Sequence, residues 1–329
     1  MPSTVQAPGM DAASVTRSLL TTTVPRGYVH RASVAEVLLT GWEADTSAQA
    51  ATTASAGLSD SFVVRAQWPR SHALFAPAGG HQDPLLLVES IRQAGILLAH
   101  AEYDVPFGHQ FLMWDLSFTA TASAFATGST PTDVELHAVC HDIVRRGRSL
   151  AGMRYDLTVR RDGLPVATGG ARFSCTSPAV HRRLRGERPT RTGRALPEPI
   201  DPAEVGHTDR QHVLLAAPAA NRGTRWELRV DTDHPVLSDH PVDHVPGMVL
   251  IEAARQAARA ATRQPDALLV GLDSTFTRYA ELDAPCWIQA RVEPTEADED
   301  LRAHVHGTQW GERVFAVDLV LRRPAARTA

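Results

Sequence analysis

The segment His81–Ala94, H-Q-D-P-L-L-L-V-E-S-I-R-Q-A, returns 163 positions later as His244–Ala257, H-V-P-G-M-V-L-I-E-A-A-R-Q-A. Glu89 thereby matches Glu252, Arg92 matches Arg255 and Gln93 matches Gln256. Two further matches run in the same order. Val29–Leu39 aligns with Val205–Leu215 at an offset of 176, and Asp115–Thr119 (D-L-S-F-T) aligns with Asp273–Thr277 (D-S-T-F-T). The larger upstream offset leaves surplus residues in the first copy, which the Ala/Thr-rich stretch Thr46–Ser59 accommodates as a loop. Three collinear matches identify a duplicated domain, and 329 residues suit two units of about 150. A duplicated domain ordinarily keeps its ancestral dimer interface, so the copies are expected to pack as a pseudo-twofold pair.

Each copy has one apolar helix followed by several strand-like runs, an α+β pattern with the helix laid on a sheet. The helices are predicted at about 84–100 and 247–263, the first with Asp83 as N-cap and Pro84 at its first position. Strands are predicted at 61–67, 111–121, 133–144, 153–161 and 166–175 in the first copy. In the second they fall at 225–230, 268–279, 286–292, 303–309 and 313–321. Arg161-Asp162-Gly163 and Trp310-Gly311 supply turn signals. The expected division is a disordered tail at 1–24, repeats at 25–178 and 205–325, and an Arg/Pro-rich linker at 179–204. His181–Arg194, within that linker, carries six Arg and no apolar period.

Composition removes several chemistries. All 33 basic residues are Arg, so a Schiff-base lysine and a lysine-bearing phosphate loop are both excluded. A net charge of −4 argues against a dedicated nucleic-acid binder. The apolar runs Leu85–Val88 and Met248–Ile251 are far shorter than the roughly 18–20 residues of a membrane span. Three widely spaced cysteines, Cys140, Cys175 and Cys286, fit neither a disulfide framework nor a zinc site, and a reducing cytoplasm is the expected location.

Glu89/Arg92 and Glu252/Arg255 stand at i and i+3, one helical turn apart on one face. One reading is a surface ion pair worth a few tenths of a kcal/mol. The other is a working pair, since a charged couple interrupting an apolar helix needs a partner or a cavity. A desolvated carboxylate can take a proton from a hydroxyl, and a guanidinium can hold a phosphate or oxyanion. His234, His240 and His244, with Asp239 and Asp243, precede the second helix. Their spacing matches no recognised zinc pattern, so no metal is expected, and a loop histidine bonding substrate or backbone is the preferred reading.

His240–Gln256 resembles the central-helix signature of hotdog-fold acyl-thioester enzymes, whose β-hydroxyacyl-carrier-protein dehydratases place a catalytic acid where Glu252 stands. His240 lies only 12 residues before Glu252, closer than in that family, which argues against dehydration by a His/acid pair. Over roughly 25–323, with Val29–Thr40, V-E-S-I-R-Q-A and E-A-A-R-Q as the strongest cues, the chain resembles the A-factor biosynthesis (AfsA-type) family of γ-butyrolactone synthases. That resemblance implies tandem hotdog repeats fused as an intrachain pseudo-dimer, with a further homodimer left open. It implies transfer of a β-ketoacyl group from acyl carrier protein to dihydroxyacetone phosphate, then condensation of the ester to a butenolide or furan phosphate, precursor of a γ-butyrolactone-type signal. No cofactor is implied. Glu252 and Arg255 are expected as the leading catalytic pair, with Glu89 and Arg92 second. Gln256, Gln93, His244, His240, His81 and Gly247 are expected to bind substrate. The competing readings are a hotdog thioester hydrolase or dehydratase, and a non-catalytic acyl- or lactone-binding regulator.

Overall fold

The computed structural model describes residues 21–46, 60–217, 223–294, 296 and 300–323. Most of the expected N-terminal tail and nearly all of the Ala/Thr-rich stretch lie outside them. The first repeat contributes β1 (Leu39–Ala44), β2 (Asp60–Trp68), β3 (Gln110–Ala120), β4 (Thr132–Arg146), β5 (Ser149–Arg161) and β6 (Leu164–Thr176). The second contributes β7 (Arg225–Glu227), β8 (Leu268–Phe276), β9 (Trp287–Val292), β10 (Leu301–Gln309) and β11 (Glu312–Arg322). The helices are α1 (Leu85–Ala101), α2 (Pro178–Arg185) and α3 (Gly247–Thr262).

All these strands form one antiparallel sheet in the order β1-β2-β4-β5-β6-β3-β8-β11-β10-β9-β7. The repeats join edge to edge where β3 pairs with β8, through the two matched D-x-x-F-T segments. Leu116 stands opposite Ser274, its own repeat equivalent in the Asp115–Thr119 and Asp273–Thr277 match. The pseudo-twofold axis therefore passes through this pair, and Ser274 Oγ donates to Leu116 O at 2.7 Å. The expected pseudo-dimer is thus a single continuous sheet of two hotdog units.

Residues opposite each other in a ladder share a face. Leu116, Phe118, Leu272 and Ser274 are buried on one side of the joint, while Asp115 on the other accepts bonds from Arg154 and Arg172. Both helices cover the buried side. α1 packs on strands of its own half and α3 on β9, β10 and β11. Fifteen of the seventeen residues of α1 are buried, as its nearly all-round apolar sequence requires. Gly95 lies within it because a Cβ there would come within 2.5 Å of the Tyr155 ring, whose hydroxyl donates to Ile91 O at 2.8 Å.

The hairpin signals form as read. Asp162 and Gly163 have φ of 52° and 76°, and Trp310 and Gly311 have 51° and 81°, the left-handed pairs that match strand twist. Two elements differ from expectation. β1 forms from a segment with no strand signal, pairing along β2 at the sheet edge. The Arg-rich linker contains α2, capped by Ser177 Oγ on Val180 N at 3.4 Å, started by Pro178 and ended at Gly186 with φ 65°. Local capping outweighs the missing apolar period. The three cysteines are buried and in no disulfide. Among the described residues no helix is long and apolar enough to cross a membrane.

Candidate active site

The repeats carry the same internal clamp. Gln93 Oε1 accepts from Leu38 N at 3.0 Å, and its Nε2 donates to Glu36 O at 2.7 Å and Glu89 Oε1 at 2.6 Å. Gln256 does the same to Leu214 N, His212 O and Glu252 Oε1 at 2.8, 2.7 and 2.8 Å. Both amides are fully buried with their bonding groups used inside the protein. Expected at the substrate, Gln93 and Gln256 instead fasten each helix to the segment before the sheet.

Each helix carboxylate then takes a partner from that segment. Arg31 donates to Glu89 Oε1 from Nε at 3.0 Å, with Nη2 at 2.7 Å, and its repeat equivalent His207 meets Glu252 Oε1 at 2.9 Å. Arg92 binds Glu89 through Nε and Nη2 at 2.9 and 2.7 Å. Arg255 Nε lies 2.7 Å from Glu252 Oε2. Burial pushes both carboxyls up, but neighbouring cations outweigh it. Arg31 and then Arg92 hold Glu89 at about 2, and Arg255 with His207 holds Glu252 well below the usual range. Both are ionised and poor proton acceptors.

The two halves part at the helix N-termini. Asp83 Oδ1 caps α1 through Leu85 N at 2.8 Å and also receives Arg255 Nη1 at 2.6 Å. Arg255 and Glu252 are fully buried, and neither lines the cavity between the repeats. In the second repeat the position of Asp83 is taken by Pro246, which has no side chain to cap α3. The N–H groups of Gly247 and Met248 have no acceptor within the helix. Both residues line a cavity of about 210 Å³ between the repeats. Its walls are largely apolar, with Phe111, Tyr155, Phe173 and Leu250 among them, and Arg92 stands at its polar side. Nη1 of Arg92 carries no protein partner among the described residues.

Two Asp–His pairs also reach this cavity. His240 Nδ1 is 2.5 Å from Asp239 Oδ1, and His244 Nδ1 is 2.7 Å from Asp243 Oδ1. The Asp239 side chain is buried and accepts from Ala32 N at 2.9 Å, with Arg31 Nη1 at 3.4 Å. Burial pushes its carboxyl up, but the His240 bond and the Arg31 charge hold it at about 2. His81, the repeat equivalent of His244, bonds Gly79 O at 3.0 Å and does not line the cavity. Proline occupies the first-repeat position of His240. Among the described residues no three His, Cys, Asp or Glu side chains gather as metal ligands.

Of the residues expected at a site, Arg92, His240, His244 and Gly247 meet around one cavity, with Glu89 directly behind Arg92. Glu252, Arg255, Gln93 and Gln256 face inward, and His81 lies apart. Sequence reasoning noted Asp239 only as a neighbour of the histidines, and missed Arg31 and the aromatic wall. The doubled D-H-x-x-D-H run at 239–244 was the available signal for the acidic partners.

A family model described as the A-factor biosynthesis hotdog domain matches residues 12–177 and 190–320. A 2-oxo-3-(phosphooxy)propyl 3-oxoalkanoate synthase of Streptomyces virginiae is 51% identical over 298 residues, 90% of this chain and 97% of the relative. A synthase of the same name from Streptomyces coelicolor is 39% identical and covers 94% of each chain. Among solved structures, the 12:0-ACP thioesterase from Umbellularia californica superposes with a TM-score of 0.50 at 12% identity, covering 79% of this chain and 94% of that one. That likeness concerns the fold alone.

Proposed function

The chain belongs to the A-factor biosynthesis hotdog family, and we propose that it catalyses the reaction for which its relatives are named, formation of a 2-oxo-3-(phosphooxy)propyl 3-oxoalkanoate. It is an acyltransferase that moves a β-ketoacyl group from a thioester to the hydroxyl of dihydroxyacetone phosphate. The acyl C–S bond breaks, a C–O bond forms, and the hydroxyl proton leaves with the thiol. The acidic methylene of the ester then adds to the ketone of the acceptor half and water is lost, giving a butenolide phosphate. Acyl carrier protein is the proposed donor.

The observation that carries this reading is the uncapped start of α3, which opens on an apolar cavity with Arg92 in its wall. The apolar part accepts the acyl chain. The Gly247 and Met248 N–H groups, at the positive end of the helix, suit the oxygen of a thioester carbonyl as it gains charge. Arg92, already aimed by Glu89, suits the acceptor phosphate in a chain without lysine. We place the working site here and assign Glu252 and Arg255 to the fold.

The test is incubation with a β-ketoacyl thioester on carrier protein, with and without dihydroxyacetone phosphate, followed by mass spectrometry. A phosphorylated ester or butenolide formed only with the acceptor is expected. Free acid formed equally without acceptor indicates a hydrolase, and binding without turnover indicates a regulator.

A further inference from the structure

Acyl transfer to a hydroxyl needs a group that takes the hydroxyl proton, and neither helix carboxylate is free to do so. Glu89 spends its oxygens on Arg31, Arg92 and Gln93, and Glu252 is sealed away from the cavity. All three cysteines are buried outside the cavity wall, and burial pushes their thiols up. His30 lines the cavity, but its Nε2 is paired with His100 Nε2 at 2.8 Å. His244 has an acidic partner, yet Asp243 is shared with His181 at 2.9 Å and with Arg185, and the ring lies edge-on to Tyr279.

His240 stands differently. One ring nitrogen is fixed by a buried carboxylate, and the other, Nε2, has no protein partner among the described residues of a side chain that is 39% exposed. Asp239 is itself held by Arg31 and by the Ala32 N–H. Arg31 in turn binds Glu89, which binds Arg92. The chain His240–Asp239–Arg31–Glu89–Arg92 therefore crosses from one repeat to the other without a gap. It fixes an imidazole relative to the guanidinium proposed for the acceptor. Among the described residues no such chain exists in the other half, where His207 replaces Arg31 and Pro77 replaces His240.

We propose that His240 is the general base of the acyl transfer and that Asp239 is its positioning residue. This rests on the acyltransferase reading above. Nε2 of His240 takes the proton of the acceptor hydroxyl as its oxygen attacks the thioester carbonyl carbon. When the tetrahedral adduct collapses and the C–S bond breaks, the imidazolium returns that proton to the departing sulfur. No proton is gained or lost overall. Asp239 keeps Nδ1 protonated and steadies the cation while remaining ionised, the role a buried carboxylate plays behind a catalytic histidine.

The test compares wild type with H240Q, H240A and D239N in single-turnover and steady-state assays of the full chain. H240Q is expected to lose about 10²–10⁴ in kcat, the usual worth of a positioned base, with KM for donor and acceptor changed little. Added imidazole is expected to restore part of the H240A rate, which a merely structural histidine does not permit. D239N, which keeps an acceptor for Ala32 N, is expected to lower kcat while leaving acyl-thioester binding intact. Retention of wild-type kcat by H240Q, with no imidazole effect on H240A, overturns the proposal. The base is read on whatever turnover the wild type shows. Hydrolysis without ester therefore refutes the acceptor while still testing His240, and a wild type without turnover refutes both.

Discussion

Asp83 of the first repeat and Arg255 of the second close an ion pair across the pseudo-twofold, Oδ1 to Nη1 at 2.6 Å, against the fully buried guanidinium. The carboxylate stands at the start of α1 on the arginine of the opposite helix. In the other half no carboxylate occupies that place, and Arg92 meets a cavity instead. Asp83 against Pro246 is thus one difference that separates a closed half from an open one.

That pairing makes Arg255 a residue of the fold. Removing one partner of a buried ion pair costs about 3–5 kcal/mol when the charge is left alone, and the loss is smaller here because Glu252 Oε2 still faces Arg255 Nε at 2.7 Å. Asp83→Ala is therefore expected to lower Tm by several degrees or more. Arg255→Lys, which cannot span Asp83 and Glu252 with a planar fork, is expected to do the same. The acceptor KM of both variants should stay near wild type. Calorimetry alongside acceptor titration checks this, and a raised KM at unchanged Tm returns Arg255 to phosphate binding.

The two carboxylates should separate in the same way. Glu89→Gln weakens the hold on Arg31 and Arg92 together, and misplacing groups at a reacting centre by about 1 Å can cost about 10²-fold. Its kcat is expected to fall by that order. Glu252→Gln should chiefly lower Tm, with kcat preserved at a temperature where the variant is folded. Turnover retained in Glu89→Gln and abolished in Glu252→Gln would move the working site from the Glu89/Arg92 cavity to the Glu252/Arg255 pair.

The sequence carried the fold because duplication is visible in it. Both long helices and both turns with positive φ agree with local patterning to within a residue or two. β1 was not legible because L-T-G-W-E-A has no alternation, and it forms as an edge on β2. The site was legible in part. Glu89/Arg92 and Glu252/Arg255 look alike as text, and what distinguishes them arrives from afar. Asp83 is 172 residues from Arg255, and Asp239 is 208 from Arg31. Helical spacing reports which side chains share a face. It does not report whether the opposite loop brings a carboxylate or leaves a cavity.

Stability should fall with acid in two stages. Burial, and then the charge of His212, hold His234 at about 4, while burial and then His100 hold His30 at about 3. Both are neutral in the fold, whereas the unfolded chain binds protons from 6.5 downward. Their contribution is therefore complete above about pH 6.5 and declines below it. Glu89 and Asp239, both near 2, contribute stability that is present above about 4.5 and lost as pH falls toward 2. Urea unfolding at stepped pH should show both declines. His234→Asn, whose amide oxygen can still accept from Val236 and Leu237 N–H, should flatten the upper one. A wild type equally stable at pH 7 and pH 4 contradicts the assignment.

The last expectation concerns the proposed carrier-protein donor. α2 lies beside the cavity through Arg185, whose Nη2 binds Glu281 Oε2 and Asp243 O, both at 2.8 Å, and whose guanidinium sits 3.9 Å over the Tyr279 ring. Tyr279 and His244 line the cavity itself. Arg185 is thus a peg for the helix and is unsuited to a docking test, because its reversal strikes buried partners. Arg182 and Arg183, on the same helix, are exposed and free of such contacts. Carrier proteins are acidic as a class, and exposed cations beside a substrate entrance speed the encounter in a salt-dependent way. Reversing Arg182 and Arg183 to Glu should lower kcat/KM for the carrier-bound acyl group about tenfold at low salt, in keeping with a steering effect. The loss should shrink as salt rises, since screening weakens attraction and repulsion alike. A small-molecule thioester of the same acyl group should react at the wild-type rate. Equal loss with both donors assigns these arginines to the fold, and no loss with either places carrier docking on another face.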